Sequence, residues 1–307
     1  MIATARFPGR LQVRVAEPMS RHSTFGVGGP ADYWVEVRSL HTLRLALTAA
    51  ERLGVPRTLM GHGTNVLVAD AGIEGLVIYN RCGGYEPVRP AGVVRVESGH
   101  TMARLARRSA DDGLAGLTFA IGVPGTLGGA VFGNAGAFGS DVAAVLVDAR
   151  VWYPDAIRDL PQAAFAFAYR HSALQHDPAQ PVVLAATLRV SAGDPAALLA
   201  ELLRYARHRR DTQPRGSNAG SFFKNPTDDY AGRLIDAAGL KGARRGAAFV
   251  SPVHANFISN AGGARARQIV ELARHVQRTV QAKFSVRLVP EVRFIGRWGT
   301  ELEDLAA

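Results

Sequence analysis

Gly122-Val123-Pro124-Gly125-Thr126-Leu127-Gly128-Gly129-Ala130, running on to Asn134-Ala135-Gly136, decides how this chain is read together with a shorter stretch, Gly61-His62-Gly63-Thr64-Asn65. Glycine reaches positive φ and lets a backbone approach a ligand closely, so clustered glycines aim successive N–H groups at an anion. Neither stretch is a common nucleotide loop. The shorter lacks the G-x-G-x-x-G spacing and the longer lacks a closing Gly-Lys-Ser/Thr. Alone, Gly61 to Asn65 reads equally well as a tight turn. With the asparagines that accompany both stretches, the pair reads as a cradle for a large phosphate-bearing cofactor.

Outward from these loops the pattern is α+β. Residues 31–37 alternate into a strand, and Leu43, Ala46, Leu47 and Ala50 fall at helical spacing within 40–53. Val66 to Val68 resumes a short strand after the first glycine stretch. A second strand-rich region runs from Leu76 through Val93 to Glu97, carries a helix over Met102 to Asp111, and closes with strands near Val145 to Val147 and Val182 to Val190. Asp194-Pro195 marks a helix start, followed by the stripe Leu198, Leu199, Leu202, Leu203 and Ala206. A helix over Gly263 to Lys283 and a final strand over Val286 to Val289 lead to Glu291, itself read as a strand residue. The tail after Trp298 is acidic and reads as peripheral. These breaks predict three parts, 1–75, 76–194 and 195–307.

Composition bounds the partners. In 307 residues, 47% hydrophobic and 20% charged content supports packed cores rather than disorder. The single cysteine, Cys82, forms no intramolecular disulfide and builds no structural zinc site. The first ten residues hold no apolar signal run, and no stretch of membrane-spanning length is apolar, so membrane insertion is not expected and a cytoplasmic protein is. A formal net charge of +10 attracts anions in general. No zinc-finger or RNP signature accompanies it, so nucleic acid is not the expected partner.

Three further constellations carry chemistry. Arg170 lies among aromatic and apolar neighbours in Phe167-Ala168-Tyr169-Arg170-His171-Ser172, as either a surface arginine or one that receives an anion. Ser221 follows glycine in Gly220-Ser221-Phe222-Phe223-Lys224-Asn225-Pro226, but Phe223 replaces the last glycine of a Gly-x-Ser-x-Gly elbow. Glu291 sits between Pro290 and Val292, as a proton relay, a cation anchor or a core ion pair. His62, His171 and His254 have no metal-ligand spacing.

Taken in order, these motifs resemble the UDP-N-acetylenolpyruvoylglucosamine reductase family over nearly the whole chain, from Ser23-Thr24-Phe25-Gly26-Val27-Gly28-Gly29 to Gly296. Asn256-Phe257-Ile258-Ser259-Asn260 resembles the same family's third domain. The resemblance implies a two-lobed FAD-binding domain of the PCMH or vanillyl-alcohol-oxidase type (residues 1–75 and 76–194) and a smaller α+β UDP-sugar domain (195–307). The short interval from Arg170 to Val182 is similar to the shorter form of the family. Thr64 stands where serine is common, and Phe138 where tyrosine is common.

The resemblance further implies noncovalent FAD held by Gly61, His62, Gly63, Thr64, Asn65, Gly122, Pro124, Gly125, Thr126, Gly128, Gly129, Asn134 and Gly136. It implies a UDP-sugar held by Tyr169, Lys224 and Asn225, NADPH as cosubstrate, no metal and no obligatory protein partner. Ser221 is implied as proton donor, with Arg170 and Glu291 stabilising the transient enol-like species. Two other readings stay open on the residues alone: a noncatalytic nucleotide- or RNA-binding protein, and a sibling flavoprotein oxidase. Flavin content, NADPH oxidation and oxygen reactivity distinguish them.

Overall fold

The computed structural model describes residues 7–9, 11–88, 92–302 and 305. Its contacts divide the chain into two compact units that interleave along the sequence. One comprises Met1–Val13, Val35–Gly61 and Ile78–Arg209, the other Arg14–Trp34, His62–Val77 and Arg210–Ala307.

The first unit is built on a five-stranded antiparallel sheet in the order Ile157–Pro161, Leu146–Trp152, Val182–Arg189, Val93–Glu97, Tyr85–Val88. The helix Met102–Asp111 buries Met102, Leu105, Ala106, Ser109 and Ala110, one face at helical spacing. Its start is fixed by Thr101, whose Oγ1 accepts the Arg104 N–H at 3.3 Å. The short helix Leu127–Gly133 adds Leu127, Ala130 and Val131 to the same core. So does the helix Pro195–Thr212, through Leu198 and Leu202. The sequence assigns that helix to the part beginning at 195. An apolar stripe looks the same whichever core receives it, and here the first unit's core does, while Leu203 is exposed.

The second unit holds a four-stranded antiparallel sheet in the order Ser217–Asn218, Ile258–Asn260, Ala248–Val250, Arg244–Arg245. The helix Ala266–Phe284 buries Ile269, Val270, Leu272, Ala273, Val276 and Val280 in this unit's core. Asp70 caps it from far along the chain, its carboxylate accepting the N–H groups of Ala266 at 2.8 Å and Arg267 at 3.1 Å. Arg293–Ile295 pairs in parallel with Val66–Val68.

Two expectations are corrected in this unit. Residues 286–289 form no strand: Gln277 Nε2 donates to the Leu288 carbonyl at 2.7 Å, and backbone pairing is confined to the single bridge at Pro290, where the Lys224 N–H donates to the Val289 carbonyl at 2.8 Å. Glu291 accordingly lies between an isolated bridge at Pro290 and the strand Arg293–Ile295 rather than on a strand. The tail is not wholly peripheral either, because Leu305 is fully buried in the core, with Trp298 and Leu302 packed against it. Of that tail, residues 303, 304, 306 and 307 lie outside the described residues, as do residues 1–6 at the start.

Candidate active site

In the first unit the two glycine stretches meet. Gly61 ends the strand Arg57–Met60, and a Cβ on it would overlap the side chain of Thr126. The longer loop is pinned from behind. Its Gly125 carbonyl accepts the Met102 N–H at 3.0 Å, Leu127 N–H donates to His100 at 2.9 Å and Gly128 N–H to Ser98 at 2.8 Å. A Cβ on Gly128 would come within 2.9 Å of Ser98 Cβ, so glycine is what permits that approach. Among the described residues no protein acceptor takes the N–H of Gly125, Thr126 or Gly129. Pro124 and Gly129 are exposed beside the buried Thr126. Backbone donors on a pinned glycine loop are the donor set an anionic pyrophosphate takes, so the residues present fit FAD.

Beyond the loop, Gly136–Ala137 pairs with Ser140–Asp141 as a hairpin whose central residues, Phe138 and Gly139, have φ of 52° and 80°. Both positive values suit a two-residue hairpin turn. The Phe138 ring stacks on Tyr205 at 3.9 Å and 3°, and its other flank leaves no room for a Cβ on Gly122.

Asn134 joins this hairpin to the turn that carries Tyr169 and Arg170. It is 4% exposed and ends the Leu127–Gly133 helix in left-handed conformation. Its Nδ2 donates to Asp141 Oδ2 at 3.2 Å and to the Ala168 carbonyl at 3.1 Å, while Oδ1 accepts the Ala143 N–H at 3.0 Å. Those bonds use both amide protons, so the side chain works as a clamp between protein groups. What it clamps is the turn that presents Tyr169 and Arg170: Ala168 and His171 exchange N–H···O bonds of 3.2 and 3.1 Å, leaving those two residues at the tip. Arg170 has a φ of 54°, a conformation that costs a non-glycine residue roughly 1–2 kcal/mol. Gln175 holds its carbonyl at 3.3 Å, and its guanidinium lies 5.2 Å from the centre of the Tyr169 ring, which is 55% exposed.

In the second unit the backbone brings the remaining motifs together. Phe223 and Pro290 form an antiparallel bridge, Glu291 N–H donates to the Phe222 carbonyl at 2.8 Å, and Lys224 N–H to Val289 at 2.8 Å. Ser221 is therefore one residue from the peptide that Glu291 grips. Asn65 joins the same junction: its Nδ2 donates to the Glu291 carbonyl at 3.1 Å and its own carbonyl accepts the Arg293 N–H at 3.0 Å. Gly63 is buried with a φ of 62°, and its carbonyl takes the Thr24 N–H at 3.0 Å, between the half-buried His62 and Thr64. Asn225 Oδ1 accepts the Ala231 N–H at 3.1 Å where the helix Ala231–Ala237 begins, a bond that does not use its amide N–H groups.

A family model for the C-terminal domain of UDP-N-acetylenolpyruvoylglucosamine reductase matches residues 212–295, and one for an FAD-binding domain matches residues 31–157. UDP-N-acetylenolpyruvoylglucosamine reductase 2 of Symbiobacterium thermophilum is 43% identical over 297 residues, 96% of this chain and 94% of that protein. The Chloroflexus aggregans reductase is 42% identical over 292 residues, 93% of this chain and 98% of its own length. The chain belongs to the UDP-N-acetylenolpyruvoylglucosamine reductase family. The fold agrees: the crystal structure of the Thermus caldophilus reductase superposes with a TM-score of 0.77 at 32% identity, covering 93% of this chain and 99% of that one. As a reductase of this family the chain has an α+β fold with PCMH-type FAD-binding architecture. It converts UDP-N-acetylenolpyruvoylglucosamine to UDP-N-acetylmuramate by way of FAD, a step of peptidoglycan synthesis. No helix of the described residues is long and apolar enough to cross a membrane, and no group of three or more His, Cys, Asp or Glu among them is placed to hold a metal ion.

One residue of a quoted motif was given no role by the sequence reading. Asn256, 3% exposed, pairs with the backbone of Phe223 on the side away from Pro290. Its sequence signals are its place in the stretch Asn256 to Asn260 and a polar amide inside the apolar run Ala255 to Ile258.

Proposed function

We propose that NADPH is the reductant, that FAD is bound noncovalently, and that Ser221 donates the proton that completes reduction of the enolpyruvyl ether. Bound FAD supplies hydride transfer from NADPH to the unsaturated side chain. The carbon next to the site of hydride addition becomes electron-rich, and the Ser221 hydroxyl protonates it, so that one hydride and one proton add across the double bond. Arg170 offsets the negative charge that develops at the substrate carboxylate and enol oxygen, and Glu291, acting with it, polarises the enol-like species. Tyr169, Lys224 and Asn225 orient the UDP-sugar, for which point charge alone gives attraction but not direction. The loops at Gly61 to Asn65 and Gly122 to Gly129, with the Asn134 to Gly139 turn, hold the cofactor. The reaction is proposed to run in the cytoplasm, the location expected from the sequence.

One observation carries the assignment of the second unit: the Glu291 N–H bond to Phe222 at 2.8 Å, one residue after Ser221, with Asn65 on the Glu291 carbonyl at 3.1 Å. An otherwise weak acid and a carboxylate are held on adjacent, mutually bonded segments. The test is stopped-flow spectroscopy of the yellow protein. NADPH should bleach the flavin band faster than NADH does, and UDP-N-acetylenolpyruvoylglucosamine should restore it faster than oxygen does. Equal reduction by NADH would overturn the NADPH assignment. Rapid reoxidation by oxygen with none by the sugar nucleotide would favour an oxidase.

A further inference from the structure

Ser221 carries a proton whose usefulness depends on where its hydroxyl is held, and nothing in the serine itself fixes it. The segment that follows it is fixed from both sides. On one side Glu291 and Val292 direct their N–H groups at the Phe222 carbonyl, at 2.8 and 3.4 Å. On the other side stands Asn256. Its Oδ1 accepts the Phe223 N–H at 3.0 Å, its Nδ2 donates to the Phe223 carbonyl at 2.8 Å, and its own carbonyl accepts the Phe222 N–H at 2.7 Å. A side-chain amide thus does for Phe223 what a neighbouring strand does elsewhere, satisfying donor and acceptor of one residue at once. The amide is itself oriented, because the Asn256 N–H donates to His254 Nδ1 at 3.2 Å, and it is 3% exposed. Phe222 and Phe223 are 0% and 1% exposed, so the segment has no solvent route to satisfy these groups if the amide is lost.

We propose that Asn256 is a positioning residue for the proton transfer: its carboxamide, by pairing both polar groups of Phe223, sets the location of the Ser221 hydroxyl. The proposal rests on the reading of Ser221 as donor. It predicts that orientation of the amide matters more than its volume, since a carboxylate has the same shape and cannot donate. An ionised aspartate accepts from the Phe223 N–H but opposes the Phe223 carbonyl. A protonated one donates there and restores both bonds. Burial disfavours the charged form, so such an aspartate would titrate well above its ordinary value of about 3.9. The charged groups around it are His254 on its own turn, the Lys241–Asp236 pair beside His254, and Lys224 and Glu291 on the bonded segments.

The experiment measures flavin reduction by NADPH and flavin reoxidation by the enolpyruvyl substrate separately, for the parent, Asn256→Asp, Asn256→Gln and Ser221→Ala, as a function of pH. Asn256→Asp should reduce its flavin at the parent rate throughout. Its reoxidation should be at least about 10-fold slow at alkaline pH and return toward the parent rate as the pH falls. Asn256→Gln, with the amide displaced by one methylene, should be slow in reoxidation at every pH and normal in reduction. Parent-like reoxidation in both variants, a deficit in Asn256→Asp that does not vary with pH, or equal losses in both half-reactions would overturn the proposal. Rapid reoxidation in Ser221→Ala would instead overturn the reading of the donor, and is seen independently of the asparagine variants.

Discussion

At the residue scale, buried polar side chains such as Asn134, Asn256 and Gln277 matter because the backbone groups they hold fix the segments around them. Asn134 shows it for Arg170. Replacing it by glycine keeps the left-handed backbone accessible and removes only the clamp. Asn134→Gly should cost about 2–4 kcal/mol of stability in urea unfolding. It should also slow substrate-dependent flavin reoxidation while leaving flavin content near that of the parent, and full activity would show that the Ala168 turn holds Arg170 without it. His100 and His254 make a second point. Both have pKa values lowered below the histidine value of 6.5, first by burial and then, for His254, by the Lys241 charge. Their folded forms are neutral, so stability is complete above that value and falls as pH drops below it, when the unfolded chain binds protons the folded one refuses. Melting temperature should decline between about pH 6.5 and pH 5, and a His100→Gln/His254→Gln double variant should show a shallower decline. An unchanged slope would remove the two histidines as its cause. The motif reading found Arg170, Ser221 and Glu291 as residue types in suggestive company. It quoted Asn256 within a family-like stretch but gave it no role, because its pairing with Phe223 is visible only in space.

At the scale of elements, local pattern carried most of the information. The helix Met102–Asp111 and the strands Val66–Val68 and Val93–Glu97 begin and end where apolar periodicity and capping residues place them. Reading failed where a side chain took the place of a ladder. Gln277 Nε2 takes the Leu288 carbonyl, the Lys224 backbone N–H reaches Val289 as part of the bridge at Pro290, and a β-rich run becomes an extended segment with that single bridge. The glycine loop tests the same idea. Gly125 has a φ of 107°, and Gly128 has no room for a Cβ against Ser98. Gly125→Val and Gly128→Val should therefore displace the loop from residues 98–102 and lose most of the bound flavin, measured as flavin released per protein on denaturation. Normal occupancy and an unaltered spectrum in both would remove the loop from the cofactor site.

For the whole molecule, the sequence yields the class and the order of motifs, but not the way the chain is shared between units. Arg14–Trp34 and His62–Val77 belong with Arg210–Ala307, and the first glycine stretch changes unit between Gly61 and His62. Nothing local marks these exchanges, since the contacts that cause them, such as Asp70 on the helix at Ala266 and Asn65 on Glu291, join residues far apart in sequence. The net charge of +10 suits a protein whose ligands are phosphorylated, without choosing among them. The units divide the labour: the longer glycine loop and the clamped Arg170 turn lie in one, and the proposed proton donor lies in the other. Ser221→Ala, followed through its two half-reactions, tests that claim most directly. NADPH should reduce the flavin of this variant at the parent rate, while reoxidation by UDP-N-acetylenolpyruvoylglucosamine should fall by on the order of 100-fold or more. Equal losses in both steps, or reoxidation at the parent rate, would contradict it.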